Sequence, residues 1–189
     1  IFFPGSPRNV STDQARRIFT GLPTETARVG VFVDAPFSEI MLSKARCGLT
    51  VAQLHGKESP SLVRRLVDEG LLVIKAIFSG GIPSLADVPR YNASAYLVEC
   101  SGGPLPGGNA LSWNWADASA LDRSKPLILA GGLSHENICR AVAASFPDAV
   151  DVSSAVESHP GKKEIEKVKH FMHALSRCSD APRLLKKSF

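Results

Sequence analysis

The sequence has little of what would mark a secreted, metal-bound or membrane protein. Its four cysteines, Cys47, Cys100, Cys139 and Cys178, stand far apart, with no C-x-x-C pair and no histidines at metal-ligand spacing. That pattern argues against a zinc site and a disulfide framework, and the expectation is four reduced thiols. No apolar run approaches the ~20 residues that span a bilayer. The opening "IFFPGSPRN" is too short and too soon broken to read as a signal peptide. The expected location is therefore the cytoplasm. Aromatic residues make up only 7%, and no basic block is interleaved with them, so nucleic acid is not the expected partner. The closing "RLLKKSF" reads as a solvated basic tail.

What is present is ordinary globular material. Hydrophobic residues are 44% and charged residues 21%, which argues against disorder. The net charge of +4 suits a small anionic ligand. Short apolar runs recur at 1–3, 28–33, 50–54, 71–77, 95–99, 127–130 and 149–152. Most are continuous rather than alternating, as parallel strands covered on both faces require. Amphipathic stretches lie between them. "STDQARRIFTGL" starts with Ser11 as N-cap and stops at a glycine, and "SPSLVRRLVDEG" repeats the design. "SHENICRAVAASF" sets Ile138, Val142 and Phe146 on one stripe, and "KKEIEKVKHFMHAL" does the same with Ile165, Val168, Met172 and Leu175.

This alternation at about 25–30 residues predicts a parallel sheet flanked by helices. A doubly wound sheet usually has about five or six strands and a glycine fingerprint after the first, which fits poorly. A closed (β/α)8 TIM barrel fits better, with about seven of its eight βα units present, as one domain over residues 1–189. Because Ile1 already lies in an apolar run, the expected missing unit is the first strand and helix.

In such a barrel the chemistry gathers at the C-terminal ends of the strands, and the last two loops commonly hold a phosphate. Here those loops read "AGG" (130–132) and "DVSS" (151–154). Glycines let backbone N–H groups approach an anion, and serine hydroxyls add donors. A lone glycine pair would more often be a tight turn, but two donor-rich turns in succession favour a binding site. At the other strand ends, Arg8 in "SPR" could pair with a carboxylate or simply lie on the surface. His55 in "QLHG" could orient a substrate or cap its strand, and Asp34 reads as a loop cap. Glu99 ends "YLVEC" just before the glycine-rich "SGGPLPGGNA", where it could donate a proton or be solvated and idle.

The segments "SPRNVSTDQAR", "VGVFVDAP", "VAQLHGKESP", "KPLILAGGLSHEN" and "VDVSSAVESHPGKK" together resemble the phosphoribosylanthranilate isomerases of tryptophan biosynthesis. The resemblance runs over almost the whole chain and implies the (β/α)8 barrel. It implies an Amadori rearrangement of N-(5'-phosphoribosyl)anthranilate with neither cofactor nor metal. It further implies a phosphorylated small-molecule partner and a monomer or homodimer. Arg8 would face the anthranilate carboxylate, with His55 also at the substrate. Gly131, Gly132, Ser153 and Ser154 would hold the phosphate beside Asp151. Three departures from the family pattern stand out. The family's base, a cysteine in a "K-[IV]-C-G" motif, is not in this sequence, and Glu99 occupies the position of the acid, normally an aspartate. The added methylene shifts the carboxyl by roughly 1 Å, a misplacement that can cost ~10²-fold in rate. "GGTG" becomes "GGNA" (107–110), and "F-D-W" becomes "WNW" (113–115). The alternative expectation is a catalytically impaired relative that binds a phosphorylated ligand or a protein partner. A different sugar-phosphate isomerase is a third, which "SPR" and "QLHG" argue against. The 189 residues alone are expected to catalyse inefficiently, lacking that base, and to leave an unpaired sheet edge.

Overall fold

Continuous apolar runs do become parallel strands here. In the computed structural model, residues 1–101, 113–121 and 124–178 are described. The "GGNA" segment and the basic tail lie outside the described residues. The chain groups into two units: Ile1–Ala76 with Pro89–Ala95, and Ile77–Val88 with Tyr96–Phe189.

The first unit holds β1 (Val29–Phe32), β2 (Val51–Leu54) and the start of β3 (Leu72–Ser79). They pair in parallel, with Val29 opposite Val51 and Val51 opposite Leu72. Every residue of β2 is buried, Gln53 included, as in a parallel strand covered on both faces. Helix α1 (Thr12–Thr20) starts on the expected cap: Ser11 Oγ accepts the Gln14 N–H, and the Gln14 side chain accepts the Ser11 N–H. Helix α3 (Pro60–Asp68) is capped by Ser59 with proline in its first turn. Helix α2 (Phe37–Cys47) follows Pro36 without a side-chain cap.

In the second unit, β3 continues beside β4 (Ala95–Cys100), β5 (Leu127–Leu129) and β6 (Ala149–Val150). The strand order is β1-β2-β3-β4-β5-β6. Helix α4 (Ile138–Ser145) precedes β6, and α5 (Ile165–Ser176) follows an antiparallel hairpin, β7 (Glu157–His159) with β8 (Lys162–Lys163).

Several expectations change. Residues 1–3 are not a strand. Phe2 N–H donates one bond to Val31 O at 2.8 Å and its ring stacks on Phe32, but Pro4 and Gly5 then turn the chain away. The described parallel strands therefore number six. After β3 and β4 come short 3-10 turns, Leu85–Arg90 and Trp115–Ala120, the first with Pro89 inside it. Phe146 leaves the α4 stripe: it is the left-handed cap at φ 49° and is exposed. On α5 the buried residues are Phe171 and Leu175, whereas Ile165 and Met172 are exposed. The four-thiol expectation is also corrected. Cys139, in the first turn of α4, is disulfide-bonded to Cys178, just past α5, with Cα atoms 4.9 Å apart. Their separation of 39 residues hid a pairing that only the packing of two helices creates.

Candidate active site

The glycine pair ends β5 in a conformation that side chains resist. Gly131 has φ +82° and Gly132 φ +66°, both left-handed. A Cβ on Gly131 would lie 3.0 Å from Trp113 Nε1 and 3.1 Å from the Glu99 Cβ, so a side chain there would be crowded as well as strained. With no Cβ at either position, the pair's own side chains do not keep an anion from the backbone N–H groups of the turn. The turn is fixed from outside by side chains. Trp113 Nε1–H donates to Ala130 O at 3.1 Å, and Trp115 Nε1–H to Gly131 O at 3.4 Å. Asn137 Nδ2 donates to Gly132 O at 2.8 Å while its Oδ1 accepts the Ser134 N–H. Asn137, not Ser134, is the residue preceding α4, because the segment 134–137 forms a turn of its own.

The second turn leaves β6 alongside. Leu129 is in register with Val150, and Asp151 N–H donates to Leu129 O at 2.8 Å. Residues 130–132 and 151–154 thus depart from adjacent strands at the same end of the sheet. Ser154 opens a short 3-10 turn, Ser154–Val156. Lys163 Nζ donates to Ser153 O at 3.0 Å, Ser153 Oγ at 3.4 Å and Glu157 Oε1 at 2.9 Å. The "PGKK" turn therefore brings a cation to Ser153 that the sequence reading had not singled out. Glu99, on neighbouring β4, is 5% exposed and packs its Cβ against Gly131. The ends of β4, β5 and β6 thus bring together Glu99, Gly131, Gly132, Asp151, Ser153 and Ser154. Burial, with the Glu99 charge second, pushes the adjacent Cys100 thiol up.

Arg8 and His55 belong to the first unit. Arg8 is half-buried in a turn where its N–H donates to Ser6 Oγ at 3.1 Å. His55 is buried directly after β2, its Nδ1 3.2 Å from Gln53 Nε2 and its N–H donated to Phe32 O. Around it lies a polar cluster that sequence reasoning missed. Lys75 is 0% exposed on β3, and its Nζ donates to Leu54 O, Gly56 O and Glu58 Oε2 at 3.1, 2.8 and 2.8 Å. Glu58 Oε1 in turn accepts the N–H groups of Asp34 and Gly56, each at 3.0 Å. Asp34 does not cap the helix that follows it, whose N-cap is Pro36; its Oδ1 instead accepts the Lys57 N–H from the loop after β2. Burial lowers the Lys75 pKa, and the Glu58 charge only partly offsets it. The signal was available, since Lys75 is the one charge in "LLVIKAIF". Among the described residues no cluster of three or more His, Cys, Asp or Glu could hold a metal ion, and no helix is long and apolar enough to cross a membrane.

A parallel α/β sheet with two polar turns leaving the C-terminal ends of adjacent strands defines an α/β class in which ligand sites gather at that edge. Comparison with known proteins specifies the family. A family model described as N-(5'phosphoribosyl)anthranilate (PRA) isomerase matches residues 1–174. The N-(5'-phosphoribosyl)anthranilate isomerase of Desulfatibacillum aliphaticivorans is 48% identical over 172 residues, covering 91% of this chain and 79% of the relative. Among solved structures, the phosphoribosyl anthranilate isomerase of Thermus thermophilus superposes with a TM-score of 0.82 at 35% identity, covering 93% of this chain and 84% of that one. A phosphoribosyl anthranilate isomerase in complex with reduced 1-(o-carboxyphenylamino)-1-deoxyribulose 5-phosphate superposes at 0.77 with 32% identity, covering 92% of this chain and 83% of that one. The chain belongs to the N-(5'-phosphoribosyl)anthranilate isomerase family.

Proposed function

We propose that this protein isomerises N-(5'-phosphoribosyl)anthranilate to 1-(2-carboxyphenylamino)-1-deoxyribulose 5-phosphate, an intramolecular aldose–ketose conversion in tryptophan biosynthesis. The observation that carries the reading is the contact of Glu99 with the Gly131 turn, in a chain of this family. The phosphate is held by the amides of Gly131 and Gly132 and by Ser153 and Ser154, with the Lys163 charge beside Ser153. Arg8 pairs with the anthranilate carboxylate, and His55 orients the substrate. Glu99 gives its proton to the furanose ring oxygen as the C1'–O bond breaks, leaving an iminium. Loss of the C2' proton to a base then yields the enolamine, which tautomerises to the ketose. The resemblance assigns that base to a cysteine of the K-[IV]-C-G motif, which is not among these 189 residues. Placing acid and sugar in one fixed geometry supplies much of the rate, because the phosphate anchors the far end of the substrate.

The test is the fall of anthranilate-type fluorescence on turnover. With that cysteine supplied the protein is expected to consume the substrate, the 189 residues alone doing so only inefficiently, and Glu99→Gln is expected to lower kcat by ~10²-fold or more. Phosphate binding without any turnover, in a wild type that carries that cysteine, would instead indicate an impaired, ligand-binding member of the family.

A further inference from the structure

Three consecutive carbonyls at the end of β5 are each held by a side-chain N–H: Ala130 O by Trp113, Gly131 O by Trp115 and Gly132 O by Asn137. These peptides are trans, the one cis bond described being Ile82–Pro83. In a planar trans peptide the C=O of one residue and the N–H of the next point in opposite directions. Holding Ala130 O against the Trp113 indole therefore turns the Gly131 N–H to the other side, and holding Gly131 O against Trp115 does the same for the Gly132 N–H. The holders are themselves fixed. Trp115 is buried, with the Arg140 guanidinium of α4 5.7 Å from its ring centre, and Trp113 packs onto Gly131 where a Cβ would otherwise stand. Glycine needs such support, since without it the pair samples many backbone states and its amides have no preferred direction.

We propose that Trp113 and Trp115 are positioning residues for the substrate phosphate: their indole N–H groups set the two peptide planes so that the Gly131 and Gly132 amides face the anion. This rests on the reading of the 130–132 turn as the phosphate site. It assigns the tryptophans a role that requires their nitrogen as well as their bulk. Phenylalanine keeps an aromatic ring but has no N–H, so Trp113→Phe and Trp115→Phe separate the two.

The experiment is a titration of the full chain, labelled with 15N-glycine, with inorganic phosphate. In the wild type the Gly131 and Gly132 amide resonances should shift on titration. Each Trp→Phe variant should bind phosphate roughly fivefold more weakly, the weight of one ordinary hydrogen bond, and the double variant on the order of 25-fold. In turnover KM should rise by similar factors with kcat held within about twofold. A merely structural role would lower the active fraction, and so apparent kcat, at unchanged KM. If the double variant does not fold, benzothienylalanine in place of tryptophan removes the N–H while keeping the bicyclic ring. Unchanged phosphate affinity in either series, with the two glycine peaks still shifting, overturns the indole role alone. Glycine peaks that stay still in the wild type reject the phosphate site itself, and the indole role with it.

Discussion

Glu99 and Cys100 are consecutive on β4, and their closeness makes the thiol a reporter on the carboxylate. Burial raises the Cys100 pKa most, and the negative charge of Glu99 adds to it. Glu99→Gln removes that charge at almost constant volume, so the Cys100 thiolate should form at lower pH than in the wild type. Cys47 is buried and Cys139 and Cys178 are bonded, which leaves Cys100 as the accessible thiol among the four. Alkylation by iodoacetamide, followed peptide by peptide in a mass spectrometer, should show the Cys100 rate profile moving to lower pH in the variant. A profile that does not move means the two side chains do not sense each other. At this scale the sequence was informative where a polar residue or a glycine closes an apolar run, as Glu99 and Gly131 do. It was silent on Trp113 and Trp115, because nothing local indicates which carbonyls an indole will reach across the fold.

Elements are tied together in the first unit by the Lys75–Glu58 pair. One ammonium on β3 holds the carbonyls either side of His55, after β2, and its partner carboxylate holds the amide of Asp34, after β1. The ends of β1 and β2 and the middle of β3 thus share one buried ion pair with its hydrogen bonds met. Removing one partner strands the other charge, so Lys75→Met should destabilise by about 3–5 kcal/mol, while Lys75→Met with Glu58→Leu should recover much of the loss. The pH dependence follows from the direction of the Lys75 shift. Its folded pKa is lowered below 10.5, so between that lowered value and 10.5 the unfolded chain binds the proton more readily. Wild-type stability, measured relative to Lys75→Met by denaturant titration, should therefore rise with pH through that interval. A difference that is flat or falling there contradicts the assignment. Helices were legible in proportion to their caps. Ser11 and Ser59 announced α1 and α3, whereas α2 has only Pro36 before it and no side-chain cap, and it was not singled out. The stripe expected on α5 held at Leu175 and failed at Ile165 and Met172, which are exposed, while Phe171, left out of it, turns inward.

Across the whole molecule, the parallel α/β order was readable because the strands are largely apolar runs, broken only by single polar residues such as Gln53 and Lys75. The count was not, since Ile1–Phe3 reads as a strand by composition and yet makes a single ladder bond before Pro4. The disulfide lay further still from anything local: Cys139 and Cys178 are joined only because the start of α4 lies beside the end of α5. Its consequence is global. A cross-link between residues 39 apart removes freedom from the unfolded chain, an effect on the order of 3–4 kcal/mol in the chain-entropy picture. At about 2–4 °C per kcal/mol for a chain of this size, reduction should lower the melting midpoint by roughly 10 °C. Cys139→Ser should melt at that lower midpoint and be indifferent to dithiothreitol, which separates loss of the bond from any effect of reductant elsewhere. Thiol titration of the denatured protein supplies the count that must accompany it: two reactive cysteines, Cys47 and Cys100, before reduction and all four afterwards. Four reactive thiols without reductant, or a midpoint that dithiothreitol leaves in place, would mean that the helices meet without the bond and that the fold is stable by packing alone.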